Sequence, residues 1–244
     1  VKENLLHILN EKYGIKEEDF LSAELSLVPA FKARDIGFDR ALIGAYGHDD
    51  RVCSYPAFSA LFDTETDGKT VMVVLADKEE IGSEGTTGMQ CAIFTDLIDA
   101  IAYSFDTTSA VIRANSKCLS ADVNAAYDPN FKDVNEPMNS TYVSCGAGLT
   151  KFTGARGKSG SNDASAEFMA EVRKMFNDEG VIWQTGELGK VDQGGGGTVA
   201  KYIAKMNIDT VDIGVAVVSM HAPYEVISKA DVYEMYLACK AFMK

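Results

Sequence analysis

The sequence predicts an α/β fold, with an α/β/α sandwich around a mainly parallel sheet. Three observations carry that expectation. Residues 70–76 and 210–220 are apolar runs that read as buried strands. Residues 163–177 place Phe168, Met169, Val172, Met175 and Phe176 on one face of a helix. From residue 40 onward, strand-like and helix-like segments alternate, the order that builds a sheet covered by helices.

Taken in order, residues 2–12 read as a helix with Leu5, Leu6, Ile8 and Leu9 apolar. Residues 20–31 alternate apolar and polar, as a strand with one exposed face does. Residues 31–48 read mostly as loop. A helix follows at 52–61, then the strand at 70–76 and a helix at 87–103. Residues 118–123 and 142–152 look extended, and 181–183 is a short strand. The four glycines 194–197 open a helix that runs to Met206. The last helix starts near Ser228. Ser228 and Asp231 resemble a capping box, and Val232, Met235, Tyr236 and Cys239 repeat at helical spacing.

Composition narrows the function classes. The chain has 244 residues, 46% apolar and 24% charged, enough for a sizeable core. A net charge of −13 argues against nucleic acid or an anionic membrane as the main partner. No apolar run reaches the length of a membrane span, and the charged, amphipathic first residues are not a secretory signal. The five cysteines are odd in number and show no C-x-x-C spacing. A cytoplasmic, reducing compartment and buried free thiols are expected.

Chemistry-bearing residues gather where strands end. In open α/β sheets ligands bind outside the carboxyl ends of the strands. Glu79 and Glu80 follow the run 70–76, Asp122 follows 118–121, His221 follows 210–220, and Asp49 and Asp50 precede a helix. Two divalent ions about 3.5–4 Å apart need a bridging carboxylate, flanking ligands and a free carboxylate to take a proton. Each residue also has an ordinary use: helix cap for Asp49 and Asp50, solvated loop for the glutamates, turn for Asp122, hydrogen-bonded strand end for His221. Together they favour a metal site.

Five strings decide the matter: AYGHDDRVCSY, ADKEEIGSEGTTG, SADVNAAYDPNF, KFTGARGKSGSNDASAE and DIGVAVVSMHAPYE, in that order from residue 45 to 225. They resemble the M18 family of metallo-aminopeptidases, and the DDR, KEEIGS and GARGKS forms look closer to the aminopeptidase I type than to the aspartyl type. The resemblance implies a di-zinc peptidase fold binding two divalent metal ions, zinc first, with cobalt or manganese as substitutes. It implies Asp49 as the bridging carboxylate, Glu79 as general base, Glu80 and His221 as ligands of the second metal, and Asp122 as ligand of the first. Glu225, four residues after His221, would orient a ligand, or else cap a turn. Lys151, Arg156 and Lys158 form a basic cluster that could meet a substrate carboxylate or support an interface. Gly195 and Gly196 could let backbone amides approach the substrate, or form a flexible loop. The family's early H-x-D segment has no counterpart among the three histidines His7, His48 and His221.

The expected function is removal of N-terminal residues, neutral or broad in preference, from peptides with a free N-terminus. The alternative is a non-catalytic or incomplete peptidase-like subunit acting in binding or assembly. A large homo-oligomer, dodecameric by family habit, is also implied. Residues 1–40 resemble the remnant of an insert domain used for subunit pairing, and residues 41–244 the C-terminal portion of the catalytic domain.

Overall fold

A computed structural model describes residues 1–244 of the chain, apart from 157, 158 and 191. The chain divides into two compact units, Val1–Ala30 and Phe31–Lys244. The first holds helix α1 (Lys2–Tyr13), which Gly14 ends at φ 73° by returning its N–H to Asn10 O. A 3₁₀ turn, Glu17–Leu21, follows. No strand forms over residues 20–31, contrary to the sequence expectation: Leu25, Leu27 and Val28 are exposed. Alternation shows which residues could share a face. It does not supply a neighbouring strand, and Pro29 lacks an amide to donate.

The second unit begins with β1 (Arg34–Ile36), β2 (Leu42–Ala45), α2 (His48–Asp63), α3 (Ile93–Ser104) and α4 (Ser109–Ala114). Then come β3 (Lys117–Ala121), β4 (Asn124–Ala125), β5 (Ala147–Thr150), α5 (Ala166–Asp178) and β6 (Trp183–Thr185). The chain closes with α6 (Ala200–Ala204), β7 (Asp209–Gly214), β8 (Ala216–Val218), β9 (Glu225–Ser228) and α7 (Lys229–Met243). Strands β1 and β2 fall in the segment read as loop, because three or four residues are too short to show a period.

One sheet has the order β1-β2-β9-β8-β4 and the other β3-β7-β5-β6. The α/β class holds, but the sheets are mixed rather than mainly parallel. Pairs β3–β7, β4–β8 and β5–β6 are parallel, while β1–β2, β2–β9, β8–β9 and β5–β7 are antiparallel. The run 210–220 accounts for part of this. It breaks after Gly214, and its two halves serve different sheets. The turn after it then sends β9 back along β8.

Residues 70–76 also depart from expectation. Among the described residues they make no strand; only Asp77 bridges to Gly88. Val71 and Val73 pack on the main core, but Met72, Val74 and Leu75 are 40%, 46% and 59% exposed. The apolar pattern is present, but a strand also needs a hydrogen-bonded neighbour. The helix read at 87–103 starts only at Ile93, because Gly88 turns tightly under Ser83: a Cβ at Gly88 would lie 2.2 Å from Ser83 O.

The main core forms around the β7–β8 run. Val211, Ile213, Val215 and Val217 are all essentially buried, and α5 covers them with Phe168, Met169, Val172 and Phe176. Full burial of Val172 and Phe176 contributes about 1.5–3 kcal/mol each. Ser165 caps α5 by accepting from Phe168 N at 3.1 Å. Helices α2 and α7 add Val52, Cys53, Ala60, Met235 and Ala238. The expected capping box at α7 does not form. Asp231 accepts instead from Ser144 N at 2.7 Å and Gly146 N at 2.8 Å, and Ser228 Oγ meets Ser144 Oγ at 3.0 Å. These two residues staple the loop before β5 to the helix.

Candidate metal centre

Four irregular segments present the acidic groups and His221. Asp49 and Asp50 open α2 with non-helical backbone angles, which turn their side chains off the helix face. Gly47, at φ 76°, makes room for the Arg51 guanidinium that a Cβ would meet at 2.4 Å. Glu79 and Glu80 lie on a single 3₁₀ turn, Glu79–Ile81, bounded by Lys78 and Gly82 in the left-handed region. Adjacent residues on such a turn diverge by roughly 120°, so the two carboxylates face different ways. Ser83 N closes the loop on Lys78 O at 2.8 Å.

Asp122 sits one residue beyond β3, where Asp122 N donates to Ile213 O at 3.0 Å. Its carboxylate accepts from Val123 N at 2.7 Å, and its carbonyl accepts from Cys53 Sγ at 3.1 Å. His221 occupies the turn after β8 at φ 64°. Glu225, 2% exposed, spans the centre: Oε2 accepts from Asp49 N at 3.2 Å and Oε1 from His221 N at 3.0 Å.

His221 Nε2 lies 3.0 Å from Asp49 Oδ2 and 3.3 Å from Glu80 Oε1. One ligand atom from each of these three residues falls within 4.8 Å of the others. Burial pushes the Asp49 carboxyl up, and the charges of Asp122 and Glu80 push it further. Asp122 is raised chiefly by burial, as is Asp50, whose Oδ1 has no hydrogen-bond partner among the described residues. Glu79 is raised by burial and by Glu80, with Lys201 and His221 opposing. So many carboxylates repel one another unless a cation sits among them. Oxygen and imidazole donors this close suit a small divalent ion such as zinc.

The remaining candidates are more scattered. Lys151 Nζ bonds Asp163 Oδ1 at 2.6 Å and Ala164 O at 2.8 Å, which ties one loop together. Arg156 is exposed, with its amide on Gly194 O at 3.2 Å. Lys158 lies outside the described residues. Gly195 adopts φ 101°, and a Cβ there would lie 2.1 Å from Gly154 O. Gly196 O accepts from Gly154 N at 2.7 Å. His48 directs Nε2 to Ile43 O at 3.2 Å, and His7 pairs with Glu11 on α1 at 3.3 Å. His48 is not part of the cluster of Asp49, Glu80 and His221. Sequence reading missed Cys53, which braces Asp122, and Lys201, whose charge reaches Glu79. Both lie in or beside strings singled out for other residues.

The family model for the aminopeptidase I zinc metalloprotease (M18) matches residues 1–243. A probable M18 family aminopeptidase 1 of Clostridium acetobutylicum is 50% identical over 247 residues, covering 100% of this chain and 53% of the relative. The crystal structure of the M18 aminopeptidase from Thermotoga maritima superposes with a TM-score of 0.95 at 47% identity, over 100% of this chain and 55% of that one. The mApe1 dodecamer of S. cerevisiae, 24% identical with a TM-score of 0.74, shares the fold. The chain thus spans about half the length of the curated relatives it matches.

Proposed function

We propose, because this chain belongs to the M18 family of aminopeptidase I zinc metalloproteases, that it carries the general base and most metal ligands of a di-metal aminopeptidase. The observation that carries the reading is the convergence of Asp49, Glu80 and His221 within 4.8 Å, on segments separated by much of the chain. Asp49 would bridge two ions, Glu80 and His221 would hold one, and Asp122 the other. When bound, zinc polarises a carbonyl and lowers the pKa of water.

The chain's own residues supply the rest. Glu79 takes the proton of the attacking water at a carboxylate oxygen and delivers it to the leaving amine, acting as base and then acid. Its raised pKa favours that double use. Glu225 fixes the backbone beneath both Asp49 and His221. The substrate is a peptide with a free N-terminus and a neutral or broadly varied first residue. A homo-oligomer is part of the same reading.

One observation favours a second reading. The family pattern calls for a further imidazole, while His48 Nε2 meets Ile43 O and His7 pairs with Glu11 on its own helix. A chain short of one ligand would bind metal without turning over, as a peptidase-like assembly subunit. The test is a panel of leucyl, aspartyl, glutamyl and lysyl chromophore amides with added zinc, before and after chelation. Chelator-sensitive cleavage, fastest on leucine, is expected. Cleavage indifferent to chelator would remove the metal reading. Zinc bound without cleavage would establish the second.

A further inference from the structure

We propose that Asp212 and Thr198 form a buried latch that seats the glycine run 194–197 beside Asp122. Both are then positioning residues for the substrate end of the site. The inference rests on the aminopeptidase reading above for its kinetic consequence, and on geometry alone for the latch.

Thr198 and Asp212 are 5% and 4% exposed, and Thr198 Oγ1 donates to Asp212 Oδ1 at 2.5 Å. The other oxygen, Oδ2, has no hydrogen-bond partner among the described residues. A carboxylate buried this way is expensive unless its polar contacts are specific. The latch is contiguous with the proposed centre: Asp212 and Thr198 line a cavity of about 10 Å³ together with Asp122, Asn124, Thr150 and Thr153. One water needs about that space.

Strand β7 is the rail on which these parts align. Thr210 O accepts from Asn162 Nδ2 at 2.8 Å, Asp212 holds Thr198, and Ile213 O holds Asp122 N. Asn162 belongs to the segment whose Gly154 and Arg156 amides donate to Gly196 O and Gly194 O. The glycine run is therefore gripped on one flank by backbone bonds from 154–156 and on the other by the latch. Close approach explains the glycine: a Cβ at Gly195 would strike Gly154 O. Backbone of this kind, without side chains to wedge it, keeps its position only through such anchors. Removing the Thr198 hydroxyl frees one flank and leaves the candidate metal ligands untouched.

The experiment uses Thr198→Val, Thr198→Ser and Asp212→Asn. Hydrogen–deuterium exchange is followed at residues 192–198 and, as a control, at α5. Zinc affinity is read by competition with a chromophoric chelator. Thr198→Val should speed exchange at 192–198 about tenfold or more, as loss of a bond to a charged acceptor predicts, with α5 unchanged. Thr198→Ser should restore protection. Asp212→Asn, which keeps an acceptor, should fall between the two. In steady-state kinetics Thr198→Val should raise KM with little change in kcat, and serine should reverse it.

Unchanged exchange in Thr198→Val overturns the latch. Faster exchange with KM unmoved overturns its role in substrate positioning. A wild-type protein that binds zinc but cleaves nothing overturns the aminopeptidase reading instead, and exchange still decides the latch.

Discussion

Replacing Glu225 by Gln tests whether one side chain organises the centre. Glu225 is 2% exposed, and its two oxygens accept from Asp49 N and His221 N. Glutamine keeps one acceptor and turns the other into a donor that faces an N–H. One part-buried amide then loses its acceptor, at a cost of about 1–2 kcal/mol, and the surviving bond loses its charge assistance, roughly 1 kcal/mol more. Removing a negative charge from an acidic cluster acts in the opposite direction. That effect is the smaller one, because Asp122 and Glu80 are the leading charges that raise Asp49. The expected loss is about 2–3 kcal/mol in unfolding free energy, measured by urea denaturation without metal. Both amides belong to candidate ligands, so zinc affinity should fall by about 10–100-fold in a chelator competition. A variant that loses stability yet binds zinc as tightly as the parent would refute the organising role.

Three further outcomes are expected. Glu79→Gln should cut turnover by roughly 100-fold or more while zinc stays bound; steady-state kinetics beside a chelator titration checks it, and a comparable rate would remove the base assignment. Gly214→Ala places a Cβ 1.8 Å from Asp122 O, so it must push the end of β3 outward. Such overpacking costs about 1–3 kcal/mol and should lower the melting temperature by several degrees, with weaker zinc binding. Burial pushes the Cys118 and Cys239 thiols up to about 12, so raising pH from neutrality to about 9 leaves them protonated, which slows their reaction. Mass spectrometry after iodoacetamide should find exposed Cys145 labelled first, half-buried Cys118 slowly and buried Cys239 unlabelled until denaturant is added; equal labelling of Cys145 and Cys239 would contradict the burial of Cys239.

The helices were the most legible part of the sequence. The apolar stripe of α5 is a strong, long-period signal, and the structure buries Phe168, Met169, Val172 and Phe176 as read. Short strands were not legible. Strands β1, β2 and β9 each have three or four residues, and their pairing depends on partners far along the chain. Within the site, Asp49, Glu80 and His221 could be picked out because each lies in one of the five ordered strings that resemble the M18 family; singly, each had an ordinary use. Asp212 could not. It sits inside a strand run, where a lone acid gives no pattern, and shows its contact with Thr198 only when the glycine run folds back. The same limit explains Asp231, whose spacing from Ser228 fits a cap but whose oxygens meet amides from another loop.

The segment 70–75 has a consequence for handling the protein. Thr70, Val71, Met72, Val73, Val74 and Leu75 make six consecutive β-prone residues without charge, proline or glycine. With its backbone edge unpaired among the described residues, such a hexapeptide is a template for cross-β stacking between copies. Lys69 on one side and Asp77 and Lys78 on the other act as gatekeepers, and the net charge of −13 keeps copies apart at neutral pH. Acidification toward the carboxylate range removes that repulsion while the hexapeptide stays open. Precipitation on mild acid treatment is expected to start from residues 70–75, and Val74→Lys should delay it in a light-scattering titration against pH; an unchanged onset would point to another segment.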